Sequence, residues 1–198
     1  MEHILNAAEV RVLGALIEKE ITTPDYYPLS LNALMAACNQ SSNRSPIVHF
    51  DEDAVGTAAD SLREKGLVHL VDRGESRVLK YRHVLYEAMN LGRQSIAVMC
   101  VLMLRGPQTL GELKQRTERL HRFASLDELP QTLAALAERE LAALQPRRPG
   151  QRDDRYVQLL GDDGDVATDA SAPPPESLEK RVQRLEEVVA ELQRRLPT

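Results

Sequence analysis

DEDAVGTAADSLREKGLVHLVDRGESRVLKYR, residues Asp51–Arg82, changes its hydrophobic period once, and that change decides the fold. Val55, Ala58, Ala59 and Leu62 recur at the i, i+3, i+4, i+7 spacing of one buried helical face. Asp51, Glu52 and Asp53 stand where a helix start favours negative charge, and Gly66 supplies a left-handed stop. Leu67, Val68, Leu70 and Val71 then form a run of strand length, Asp72–Ser76 is a polar turn containing Gly74, and Arg77–Arg82 reads as a second strand. Helix, strand, polar loop, strand is the second half of a winged helix.

The pattern returns 74 residues later: Val55 maps onto Leu129, Ala59 onto Leu133, Leu62 onto Leu136, Leu67 onto Leu141 and Leu70 onto Leu144. These are mainly the positions expected inside, so the chain reads as a duplicated domain. The second copy departs in two places. Glu140 stands where the first has Gly66, and Pro130 lies in the first turn of the helix, where proline is tolerated.

Upstream, Asn6–Ile21 reads as a first helix with Val10, Leu13, Leu16 and Ile17 inward and Glu9, Arg11, Glu18 and Lys19 elsewhere. Leu29–Asn39 reads as the second helix, and Pro46–Phe50 as a short edge strand with its proline at the start. Tyr26 and Tyr27 read as an aromatic cover over this core, or as a patch for a partner. His83–Met89 forms a short bridging helix. In the second copy, Arg93–Leu104 and Thr109–Leu120 are helices, the latter with Leu110 and Leu113 inward; Arg122–Phe123 is the small strand and Ser125 caps the third helix. Residues 1–90 and 91–160 are thus two winged-helix domains, and the fold class is α+β, mostly α. Residues 161–177, rich in Asp and Pro, form a flexible linker. In 178–196, Leu178, Val182, Leu185, Val189, Leu192 and Leu196 alternate spacings of four and three, a heptad seam suited to a homodimeric coiled coil or to docking on the parent domains. About two and a half heptads are marginal for a lone helix.

With 42% apolar residues and no Trp, cores must be built from aliphatic side chains. No apolar run is long enough for a membrane span and no leader pattern is present, which implies a cytoplasmic protein. Cys38 and Cys100 each sit in an apolar helical pattern and read as buried reduced thiols. The net charge of −5 is uneven: residues 1–90 hold 9 cations against 13 anions, and residues 91–160 hold 11 against 8. Neither half is basic enough to bind phosphate over its whole surface, so nucleic-acid contact must be local.

Several stretches resemble the YceH-like family of bacterial proteins, which is built as tandem winged-helix domains and carries no established activity. They are RVLGALIEK (11–19), TPDYYPLS (23–30), CNQSSNR (38–44) with Pro46, and LREKGLV (62–68). EAMN (87–90), LRGPQT (104–109) and RRPGQR (147–152) with Arg155 and Tyr156 complete the set. The resemblance covers roughly residues 6–160 and implies the fold.

Winged helices commonly lay their third helix in the major groove. Here that face shows Asp53, Gly56, Thr57, Asp60 and Glu64 in the first copy, and Asp127, Glu128, Gln131, Ala134, Ala135 and Glu138 in the second. Carboxylates facing phosphate oppose binding. The cations lie on the wings: Arg73, Arg77, Lys80 and Arg82 on the first, and Arg147, Arg148, Arg152 and Arg155 on the second. Asn43 and Arg44 add a third contact, or else form a capped turn with Arg44 paired to the Asp51–Asp53 cluster. The expectation is a non-enzymatic protein that binds double-stranded DNA through wings and loops. The alternative is a protein-interaction scaffold docking through acidic third helices and the C-terminal helix. No P-loop or dinucleotide fingerprint is present and no cofactor is expected. His49, Asp51 and Asp53 have metal-ligand chemistry, but read as a strand end and a helix cap.

Overall fold

The structure, a computed structural model, describes residues 5–71, 78–147 and 152–161. The linker beyond Gly161 and the heptad segment lie outside the described residues. Both copies belong to one compact unit, Met1–Asp163, and one continuous apolar core runs through them.

Helix α1, Ala7–Thr22, opens with a reciprocal cap: the Asn6 side chain accepts from Glu9 N at 2.9 Å, and the Glu9 carboxylate accepts from Asn6 N at 2.7 Å. A 3₁₀ turn at Pro24–Tyr26 leads to strand β1, Leu29–Ser30, and helix α2, Leu31–Cys38. Helix α3, Glu52–Glu64, is capped by Asp51, whose carboxylate accepts from Ala54 N at 2.8 Å. Strands β2, Val68–Val71, and β3, Lys80–His83, follow, then the short helix α4, Leu85–Ala88. The second copy repeats the order with α5, Arg93–Arg105; α6, Leu110–Thr117; α7, Glu128–Glu138; β4, Ala142–Gln145; and β5, Arg155–Gln158. The class is α+β and mostly helical, and the element order is consistent with two winged helices.

The repeat is legible in backbone detail. Leu67 N donates to Leu62 O and Leu141 N to Leu136 O, both at 2.9 Å, so each third helix turns into its strand the same way. Gly66 takes φ +70° at that turn, and Glu140, its counterpart, takes φ +55°.

The small strand is not where the sequence placed it. In the first copy β1 pairs with β3, Leu29 opposite Tyr81 and Ser30 opposite Lys80, giving the antiparallel order β1-β3-β2. Pro46–Phe50 forms no ladder. Pro46 has no N–H to give, and Phe50 is held by Asn39, which accepts from its N–H at 2.8 Å and donates to its carbonyl at 2.7 Å. In the second copy Arg122–Phe123 is likewise no strand; a single bridge between Gln108 and Tyr156 occupies the position of β1 beside the β4-β5 hairpin. Ser125 does not cap α7. Asp127 precedes that helix without a side-chain cap, and Glu128 accepts from Ala124 N at 2.6 Å. Leu113 is fully buried as expected, but Leu110 is exposed.

A larger departure concerns α1, read as amphipathic but enclosed on every side. Glu9, Arg11 and Glu18 are 1%, 4% and 1% exposed. Several segments share the work: Glu9 meets Lys65 just after α3, Arg11 donates to Cys38 O and Pro46 O, and Glu18 meets Arg44 and Arg119, while α5 also packs on α1. The approach is close at Gly14: a β-carbon there would lie 2.9 Å from Leu104 Cδ2 and 3.1 Å from Met103 Cβ. Cys100 donates to the Gly14 carbonyl across the same contact at 3.5 Å. Cys38 and Cys100 are both free and buried, and burial pushes the Cys38 thiol up to about 12. The first and last described segments of this unit meet as well, Leu5 N donating to Leu160 O at 2.7 Å. Among the described residues no helix is long and apolar enough to cross a membrane.

Candidate nucleic-acid interface

The outward faces of the third helices are acidic to neutral. On α3, Asp53, Thr57, Asp60 and Glu64 are exposed, and Arg63 is turned along the helix onto Asp60 at 3.1 Å. Lys65 leaves that face entirely, its Nζ lying 2.6 Å from the buried Glu9 carboxylate. Burial raises the Glu9 carboxyl, and the Lys65 contact with hydrogen bonds from Ser61 and Asn6 outweighs it, holding the group below its ordinary range. On α7 the exposed residues are Pro130, Gln131, Ala134, Ala135, Ala137 and Glu138.

The cations nominated from the sequence divide by location. Arg73, Arg77 and Arg148 lie outside the described residues, as do Leu178, Val182, Leu185, Val189, Leu192 and Leu196. Arg147 and Arg152 are exposed where the second hairpin leaves its strands, and Asp154 accepts from Arg147 N at 3.0 Å. Arg155, half-buried at the base of that hairpin, donates to Pro107 O at 3.0 Å and to Glu112 at 2.9 Å. Glu112 also takes Arg116 at 3.3 Å, so two guanidinium groups share one carboxylate. Lys80 is half-buried on β3, and Arg82 lies 3.7 Å from Glu87.

Asn43 and Arg44 go different ways. Asn43 takes φ +60°, a conformation asparagine tolerates, and its side-chain oxygen accepts from Arg105. Arg44 points inward. Its side chain is 0% exposed and its guanidinium lies 2.6 Å from Glu18, not on the Asp51–Asp53 cluster. It also donates to Ala37 O at 2.8 Å. Arg119 of the second copy reaches the other oxygen of Glu18, so this carboxylate fastens α1, the 43–44 turn and the end of α6 together. Burial raises the Glu18 carboxyl, and hydrogen bonds and charge from Arg44, then Arg119, overcome that and hold it low.

The two tyrosines also separate: Tyr26 is 78% exposed, whereas Tyr27 is half-buried and its hydroxyl accepts from His83 N at 2.7 Å. The sequence reading passed over Arg105, Arg116, Arg119 and Arg122, which gather on the second copy beside Asn43. The step of three from Arg116 to Arg119 to Arg122 is the signal that could have found them.

A family model described as "Protein of unknown function, DUF480" matches residues 5–151. The chain is 54% identical over 197 residues to a UPF0502 protein of Solibacter usitatus, covering 98% of this chain and 95% of that one. It is 48% identical over 190 residues to a UPF0502 protein of Opitutus terrae, covering 94% and 83%. Against a UPF0502 protein of Geotalea daltonii the identity is 50% over 184 residues, covering 92% and 84%.

Proposed function

This chain belongs to the DUF480 (UPF0502) family of bacterial proteins, and from that premise we propose that it is a non-enzymatic protein that binds double-stranded DNA through its wings. One observation carries the reading: the exposed Arg147 and Arg152 stand on the second hairpin above Arg155 and Arg116, while the outward faces of α3 and α7 offer no cation free to meet phosphate. A duplex laid along α3 meets Asp53, Asp60 and Glu64; one met by the wing meets guanidinium groups able to grip phosphates or a narrow minor groove. The protein then acts as a regulatory or architectural binder, working as a homodimer through the heptad segment.

Anisotropy of a labelled duplex at several salt concentrations tests this. Log affinity should fall with log salt by about 0.9 per neutralised phosphate, and Arg147→Ala/Arg148→Ala/Arg152→Ala should flatten that slope. No binding at low salt and micromolar protein sinks the reading. Light scattering of the full chain against Leu185→Glu/Leu192→Glu tests the dimer, which requires a halved mass in the variant.

The acidic α3 face favours a second reading, a protein-docking scaffold. It predicts that Asp60→Lys/Glu64→Lys leaves duplex binding no tighter and removes the docked protein partner.

A further inference from the structure

We propose a second anion site, separate from the wings: the depression of about 550 Å³ between the two copies, built from Arg105, Arg116, Arg119 and Arg122 beside Asn43, binds a phosphate group. Its chemistry rests on how the guanidinium groups are held. Arg105 is oriented by the Asn43 side-chain oxygen, and Arg116 by the Gln108 side-chain oxygen. Gln108 is itself fixed, its amide nitrogen donating to Arg105 O at 3.0 Å and Pro107 O at 2.9 Å. Amide oxygens orient both cations, and Arg105 meets no carboxylate among the described residues, whereas Arg116 also shares Glu112 at 3.3 Å; orientation of this kind is the pre-organisation a binding site requires.

The carboxylates at hand do not balance the charge. Glu18 is divided among Arg44, Arg119 and, at 3.8 Å, Lys19, and Glu112 between Arg116 and Arg155. Glu118 lines the rim, and Arg122 makes no ion pair among the described residues. Four guanidinium groups therefore line the depression with one carboxylate, Glu118, and the carboxylates behind it are shared with Arg44 and Arg155. The repulsion is felt at Arg105, whose guanidinium is held below its ordinary value first by burial and then by the charges of Arg116 and Arg119. A surplus of this size, offered as several convergent donors, suits a tetrahedral anion of more than one charge better than a carboxylate. The open rim admits the remainder of a phosphorylated ligand, from either a nucleic-acid backbone or a small molecule.

The site stands independently of the wing reading, and the test separates the two. Calorimetric titration of the full chain with inorganic pyrophosphate at low salt should show binding that Arg105→Gln and Arg122→Gln each weaken about tenfold, whereas Arg147→Ala/Arg152→Ala leaves it unchanged. Arg122 is exposed, so its variant retains the fold and keeps the result interpretable. If the same two variants also weaken a labelled duplex, the site takes a backbone phosphate. If duplex binding is unchanged while pyrophosphate is lost, it takes a small phosphorylated molecule. Absence of pyrophosphate binding, binding by both glutamine variants as tight as by the unaltered chain, or equal loss in the wing variant overturns the proposal.

Discussion

Replacing Glu18 by Gln should cost far more stability than a single neutralised carboxylate suggests. The side chains of Glu18 and Arg44 are 1% and 0% exposed, and their charged atoms lie 2.6 Å apart. At an effective dielectric near 20 the attraction is about 6 kcal/mol, most of which offsets the cost of burying both charges. The substitution removes the attraction and leaves the guanidinium of Arg44 in place. An unpaired buried charge of this kind costs about 3–5 kcal/mol, a large part of a small protein's total of about 5–15 kcal/mol. Arg119, 42% exposed at its side chain, can turn to water when Glu18 is lost; Arg44 cannot. Urea unfolding monitored by circular dichroism reads the effect as a lower midpoint at an unchanged slope.

The pH dependence follows from the same pair. Because the folded Glu18 carboxyl lies below its ordinary value of 4.5, its contribution is complete above that value and is lost as pH falls through the depressed folded value. Glu18→Gln should therefore flatten the acid limb of the stability profile, leaving the part due to Glu9 and Glu112, which are held low in the same way. A loss below about 1 kcal/mol at neutral pH, with the acid limb unchanged, would refute the reasoning, since it would mean that water reaches Arg44 in the folded protein.

Gly14→Ala should destabilise by about 1–2 kcal/mol although alanine is the better helix former, because its β-carbon would meet Leu104 and Met103 in a packed contact. Gly56→Ala, inside α3 with its nearest neighbour at 3.8 Å, is the control and should stabilise by about 0.5–1 kcal/mol; equal signs in urea unfolding would remove the close approach as the cause. Glu140→Gly should stabilise by about 0.5–1 kcal/mol by relieving φ +55°, and Gly66→Glu should destabilise by about 1–2 kcal/mol; a loss on placing glycine at 140 would show that the side chain earns its position by other contacts.

The sequence by itself determined the repeat and most of its elements. Val55, Ala59 and Leu62 with their counterparts Leu129, Leu133 and Leu136 mark the buried faces of α3 and α7, and all are buried. Gly66 and its 74-residue echo located the turn that both copies share. These are local signals: hydrophobic period and turn chemistry act over a few residues and survive whatever packs around them. The small strands were missed for the complementary reason. A two-residue strand or a single bridge has no period to read, and its existence depends on which distant strand accepts its hydrogen bonds.

Only the tertiary structure decided what α1 does. Glu9, Arg11 and Glu18 interrupt its apolar stripe as solvent-facing residues would, yet each is buried with a partner supplied by another segment: Lys65, the Cys38 carbonyl and Arg44. For the same reason Arg44 became a strut in the seam between copies, while Arg105, Arg116, Arg119 and Arg122, unremarkable in the chain, converged on one depression. Sequence spacing fixes which residues share a face; what stands opposite that face, and hence whether a charge is a ligand, a strut or a solvated end, is settled by long-range packing.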